Sequence, residues 1–266
     1  MMIIDDYVKP KSLKEAFELL SSRKDASIIG GGAFLNVTSK KIGLGIDIFD
    51  LGLNFIKETS HFIEIGAMTT YRTIEKSVML NNMFNGALVD AVKDVVGVQM
   101  KNVFTVGGTI GGKYGFSNLI TVLLSLNAKV LFFNSGEFSL EKYINGEIGQ
   151  NDIVEKIIIP KQNTSCSFQL LTNSVTDFAV LNVAVSKINN KFNIVVGARP
   201  AIANFAVKSM EFINNTELND TAILKCAEIA SEEISFSSDM RGSSEYRKEL
   251  CKILVKKAIK EVINEN

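Results

Sequence analysis

Apolar residues recur along this 266-residue chain with two periods, one helical and one of strands. Near the N-terminus Leu13, Ala16, Phe17 and Leu20 are spaced as one face of a helix. Ser12 followed by Glu15 is a capping box, so a helix is expected over about 12–22. "ASII" then reads as a short apolar strand running straight into "GGGAFLN". "LGIDIFDL" and "FIEIGAM" read as two further strands. "TTYRTIEKSVML" is expected to be helical, capped by Thr69 or Thr70. "FNGALVDAVKDVV" is expected to be another helix, with Phe84, Leu88, Val92 and Val95 on one face. After a glycine-rich stretch, "SNLITVLLSL" reads as a helix beginning near Ser117, "AKVLFF" as a strand, and "DIVEKIIIP" as a strand stopped by Pro160.

The second half changes character. "FAVLNVAVSKINNKFNIVVGA" is two apolar runs joined at Asn189-Asn190, a hairpin signal. Two helices are expected to close the chain, "TAILKCAEIASEEI" and "SSEYRKELCKILVKKAIKEVI". The polar stretch "PKQNTSCS", near 160–167, suits a boundary between domains.

Composition narrows the chemistry. Lys plus Arg is 29 and Asp plus Glu is 29, so the formal charge of zero leaves no electrostatic footprint for nucleic acid. No apolar run approaches the ~20 residues of a membrane span. "MMIIDDYVKPKS" has acids where a signal peptide has bases, so a cytoplasmic location is expected. Cys166, Cys226 and Cys251 are far apart, which argues against a disulfide framework or an iron–sulfur site on this chain. His61 is the only histidine and lies in a polar turn, so a His-rich metal site is excluded and no metal is expected. Acid–base hydrolysis has little to work with, and a bound cofactor is the expected carrier of any chemistry.

The glycine stretch "TVGGTIGGKYGF" nearly spells a P-loop from Gly107 to Lys113, but Tyr114 stands where a Mg²⁺-binding Ser or Thr belongs. The preceding run is not an apolar strand, and Gly115 falls where the helix of a P-loop would already be running. No G-x-G-x-x-G is present. Two readings remain for the glycines at 30–32 and 105–112. They are tight turns, or they bring backbone N–H groups into one concavity that holds an anion such as a pyrophosphate.

Five segments, in order, resemble the FAD-binding subunits of the molybdenum hydroxylases, the family of xanthine dehydrogenase and carbon monoxide dehydrogenase. They are "YVKPKSLKEAFELL", "GGGAFLNV", "IEIGAMTTYRTIE", "VQMKNVFTVGGTIGG" and "DMRGSSEYRKELCKILVKKAI". The form of the first loop is similar to that of short members from anaerobic bacteria. The resemblance implies an α+β fold: a two-lobed FAD-binding domain of the vanillyl-alcohol-oxidase (PCMH) type, then a small α+β domain with antiparallel sheet and helices. The expected ranges are 1–162, with lobes of about 1–55 and 56–162, and 163–266. The resemblance also implies non-covalent FAD. The pyrophosphate and ribityl chain would lie on backbone at Ile29, Gly30, Gly31, Gly32, Ala33, Phe34 and Leu35, and at Thr105, Val106, Gly107, Gly108 and Thr109. Ser117 and Asn118 would face the cofactor, and Asp177 would lie near its isoalloxazine end. Gly111 and Gly112 replace residues that the family fills with ordinary side chains.

There are departures. Thr109 and Asn118 stand where the family usually has Asn and Asp, and "GGKYGF" replaces a run of small residues and Pro. A basic residue is common before the family's "DFA" segment, and Ser167 to Thr176 offers none. The implied function is electron relay from [2Fe–2S] clusters on a small partner subunit to NAD⁺ or another acceptor, with substrate oxidised on a molybdopterin-containing large subunit. Two alternatives are a stand-alone flavoprotein reductase and a scaffold subunit that has lost its flavin.

Overall fold

The first helix forms where its caps place it. Leu13–Ser22 is helical, Ser12 Oγ accepts from the N–H of Glu15 at 3.2 Å, and the Glu15 carboxylate accepts from the N–H of Lys11 at 2.7 Å. The structure, a computed structural model, describes residues 3–35, 41–148 and 151–264. The chain divides into two compact units. One comprises Met1–Thr73, Val98–Gly112 and Ala128–Pro160; the other comprises Ile74–Gly97, Lys113–Asn127 and Lys161–Asn266.

In the first unit, β1 (Ile3–Val8), β2 (Ala26–Ile29) and β3 (Lys41–Asp47) form a parallel sheet in the order β1-β3-β2. The helix Leu13–Ser22 contributes Ala16 and Leu20 to a core with Leu44, Ile46, Ile48 and Leu53. β4 (Ile56–Glu58), β5 (Phe62–Gly66), β6 (Lys129–Phe132), β7 (Gly136–Ser139) and β8 (Val154–Pro160) form an antiparallel sheet in the order β4-β5-β8-β6-β7. Ile63 pairs with Ile159 and Ile65 with Ile157, which places a continuous β-branched surface at the centre of that sheet.

In the second unit, β9 (Thr164–Thr172), β10 (Ala179–Ile188), β11 (Lys191–Gly197) and β12 (Asn204–Phe205) are antiparallel in the order β12-β11-β10-β9. Asn189 and Asn190 both have positive φ, 48° and 66°, as a tight hairpin turn between β10 and β11 requires. β10 is buried on both faces, which explains its unbroken apolar run. Leu181, Val183 and Val185 join the core formed with the helices Asp220–Glu233 and Ser244–Asn264. The alternate residues meet the fully buried helix Asn118–Ser125: Asn182 bonds Asn118 and Thr121, and Ser186 Oγ donates to the carbonyl of Ser125 at 2.6 Å. The expected α+β class, with an antiparallel C-terminal sheet and helices, is the observed one.

Several elements differ from the sequence reading. "TTYRTIEKSVML" is two short helices, Tyr71–Glu75 and Val78–Asn82, because Ser77 caps the second by accepting from the N–H of Leu80. "FNGALVDAVKDVV" holds a 3₁₀ turn, Phe84–Gly86, before the helix Ala87–Lys93, since Asn85 and Gly86 take positive φ. The strand read in "LGIDIFDL" begins earlier and ends at Asp47. β9 runs into the stretch read as a polar boundary.

Candidate functional site

The first glycine segment leaves β2 at buried Ile29 and turns at once. A Cβ on Gly31 would overlap the carbonyl oxygen of Val103, so only glycine fits there. A Cβ on Gly30 would lie 2.9 Å from Thr105 Oγ1, and Gly32 has φ +71°. The two glycine segments, far apart in sequence, are therefore in contact through Val103 and Thr105. Phe34 packs its ring 5.2 Å from that of Phe104. Gly30 to Leu35 are half-exposed, and among the described residues the N–H groups of Gly31, Gly32 and Ala33 have no hydrogen-bond partner. Asn36 and Val37, the end of the "GGGAFLNV" segment, lie outside the described residues.

The second segment is a helix, Val106–Gly112. Thr105 caps it: its Oγ1 accepts from the N–H of Gly108 at 3.2 Å, and its carbonyl accepts from the N–H of Thr109 at 3.0 Å. The N–H of Val106 donates to Thr69 and that of Gly107 to Ala67. Gly107 is glycine because a Cβ would come within 2.7 Å of Ala67 Cβ. Thr109 Oγ1 donates to the Thr105 carbonyl and lies 3.0 Å from the hydroxyl of Tyr71. The amides of this segment are thus used within the protein, and the unpartnered ones belong to the first loop. The helix ends before Lys113, which has φ +47°, and Val98–Lys101 upstream is helical. A P-loop needs a strand before it and a helix that begins at its Lys, so this segment is not a P-loop.

In the second unit Ser117 and Asn118 are buried at the start of the helix Asn118–Ser125. Ser117 Oγ accepts from the N–H of Ile120, and Asn118 Oδ1 accepts from Asn182 Nδ2 at 2.6 Å. Asp177 sits in a tight turn, where its Oδ1 accepts from the N–H of Phe178 at 2.7 Å. Arg241 lies beside it, with Nη2 3.6 Å from Asp177 Oδ1 and the guanidinium 5.3 Å from the centre of the Phe178 ring. Arg241 lines a cleft of about 350 Å³ with Phe116, Phe178, Pro200, Ile202 and Asp239; Ser117, Asn118 and Asp177 lie close in the chain to Phe116 and Phe178 but do not themselves line it. Arg247, fully buried, fixes the loop that carries Arg241. Its Nε donates to the Val180 carbonyl, its Nη1 to the carbonyls of Ser237 and Gly242, and its Nη2 to Asp239 at 2.6 Å. Neither arginine was singled out by sequence reasoning: the partner of Arg241, Asp177, lies far away in the chain, and Arg247 is held mostly by backbone carbonyls, which leave no mark in the sequence.

Residues 3–162 match the family model described as the FAD binding domain in molybdopterin dehydrogenase, and residues 166–262 match the CO dehydrogenase flavoprotein C-terminal domain. The chain belongs to this flavoprotein family. It is similar to the glyceraldehyde dehydrogenase medium chain of Sulfolobus acidocaldarius, 28% identical over 96% of this chain and 97% of that one. It is also similar to the nicotine 6-hydroxylase medium subunit of Paenarthrobacter nicotinovorans, 24% identical over 96% of each. Its fold is that of a chain in carbon monoxide dehydrogenase from Hydrogenophaga pseudoflava, with a TM-score of 0.88 at 21% identity over 96% of each chain. The resemblance read from the five segments is confirmed. The protein is an oxidoreductase flavoprotein subunit of the molybdenum hydroxylase family, and its cofactor is FAD. The first loop fits that cofactor, since three adjacent N–H groups at a glycine turn, unpartnered among the described residues, are what a phosphate oxygen requires. Among the described residues, no helix is long and apolar enough to cross a membrane.

Proposed function

We propose that this chain is the electron-relay component of a molybdenum-hydroxylase-type complex. Electrons reach it from [2Fe–2S] clusters on a small partner subunit and leave to NAD⁺ or another acceptor, while a molybdopterin-containing large subunit oxidises the substrate. When bound, FAD supplies the redox chemistry; the protein holds, orients and tunes it. The observation that carries the reading is the contact between the two glycine segments, with the amides of Gly31, Gly32 and Ala33, unpartnered among the described residues, at its edge. The "medium" subunit names of the similar proteins support the assignment to a complex.

Within this reading Ile29 to Leu35 hold the pyrophosphate and ribityl chain. Thr105 to Thr109 form the rigid wall that shapes the first loop. Ser117, Asn118 and Asp177 are assigned to the remainder of the cofactor. The matched family ranges support domains of 1–162 and 163–266.

The test is direct. The purified chain should carry a visible flavin spectrum and reduce a dye with NADH at most, without oxidising any hydroxylase substrate. A colourless chain after FAD titration, or substrate turnover by the chain alone, would refute the relay.

A further inference from the structure

The stretch Ser167 to Thr176, leading to Asp177, contains no basic residue. The fold brings one to the same place from another segment. Arg241, in the loop before the last helix, pairs with Asp177 at 3.6 Å and lies over Phe178. Its Nε is buried and has no hydrogen-bond partner among the described residues. Buried donors are nearly always satisfied, so an unpartnered one at a cleft wall marks a place where a ligand brings the acceptor. The cleft suits a flat ligand. Phe116 and Phe178 pack with ring centres 4.4 Å apart, and Pro200, Ala201 and Ile202 complete an apolar wall. The loop is not free to adjust, because Arg247 ties Ser237, Asp239 and Gly242 together.

We propose that Arg241 contacts the flavin ring, donating from Nε to its carbonyl-bearing edge, and that its charge favours the reduced cofactor. The inference rests on the assignment of Asp177 to the isoalloxazine end of FAD. Two-electron reduction places negative charge on the ring, which a neighbouring guanidinium stabilises and a neighbouring carboxylate opposes. Without Arg241, Asp177 would face the ring uncompensated, so both changes act in the same direction.

The experiment is a redox titration of the full-length, FAD-loaded chain against reference dyes, for wild type, Arg241→Gln, Arg241→Lys and Asp177→Asn. Arg241→Gln should lower the preference for reduced over oxidised FAD at least tenfold, a fall of about 30 mV in a two-electron midpoint. Arg241→Lys should restore most of it, and Asp177→Asn should move the midpoint upward. A merely structural role for Arg241 would leave the midpoint unmoved. An unchanged midpoint in Arg241→Gln, with a shift in Asp177→Asn, overturns the inference while sparing the Asp177 assignment. No shift in either variant overturns both. If Arg241→Gln loses its flavin, Arg241→Lys decides: flavin kept at the wild-type midpoint supports the contact, and flavin absent overturns it.

Discussion

Gly31 and Gly111 both belong to glycine-rich segments, yet a methyl group would meet opposite fates at the two. At Gly31 it would overlap the backbone of Val103, and the loop would have to move. At Gly111, inside the helix Val106–Gly112, nothing lies within 4 Å. Gly31→Ala should therefore displace the free amides and weaken FAD binding by about 1.5–3 kcal/mol for each hydrogen bond to a charged oxygen that is broken. That is roughly tenfold to a hundredfold in affinity per hydrogen bond, readable by calorimetry. Gly111→Ala should keep its flavin and gain up to about 1 kcal/mol of stability from helix propensity. Both glycine segments were legible in the sequence as places of close backbone approach. What glycine makes room for was not: at Gly107 it is Ala67, not a ligand. The cysteines were legible too, as ordinary thiols. Burial pushes the pKa of Cys166 and Cys251 up to about 12 and that of Cys226 to about 11. At pH 8 roughly one Cys226 in a thousand is then thiolate. Ellman's reagent should find no thiol in the native protein and all three after denaturation.

Elements were legible where the signal is local and hidden where a distant partner completes them. The capped helix at Leu13–Ser22 and the Asn189-Asn190 hairpin carry their own instructions. β9 does not: Ser167, in the stretch read as a boundary, and Gln169 beyond it are polar yet buried, and Glu261, on the last helix, accepts from them at 2.7 and 2.5 Å. The helix Val106–Gly112 was hidden for another reason. Glycines disfavour helices, and this one exists because Thr105 caps it and Gly107 packs against Ala67. The loop 237–242 was hidden although its partner is near, since Arg247 shapes it largely through the carbonyls of Ser237 and Gly242, which any residue carries. Arg247→Met should cost about 1–3 kcal/mol for each carbonyl left without its donor, measured by urea unfolding. The Asp239 end of the clamp should respond to acid. Desolvation raises the pKa of Asp239, but the Arg247 guanidinium and backbone donors more than offset this, so its value is below the ordinary 3.8. A depressed carboxylate stabilises fully above its ordinary value, and that contribution is lost as pH falls through the lower folded-state value. The stability gap between wild type and Asp239→Asn should be full well above pH 3.8 and shrink as the pH falls below it.

At the scale of the whole molecule, the second unit commits all three cysteines to packing. Each thiol is engaged in a core. Cys166 Sγ lies 3.6 Å from Ser125 Oγ, Cys226 Sγ lies 3.0 Å from Ser209 Oγ, and Cys251 is buried among the residues of the terminal helices. None of them can leave its core to ligate iron without opening a cavity, which for buried side chains typically costs several kcal/mol. Nor can they attach a flavin. Neither glycine segment contains Cys or His, and the one histidine, His61, is exposed in a turn of the first unit. FAD should therefore be held by hydrogen bonds and packing alone, and acid precipitation should release all of it into the supernatant; yellow colour that stays with the pellet would contradict this. On the proposed relay, electrons enter this chain from clusters on another. Gentle lysis of the native host and purification through a tag on this chain should bring down a [2Fe–2S] protein and a much larger subunit. Mixing the flavin chain with that small protein, reduced beforehand, should bleach the flavin band. A chain recovered alone, whose flavin the reduced cluster protein leaves oxidised, would remove the basis for the relay, because a flavin with no donor has no electrons to pass on.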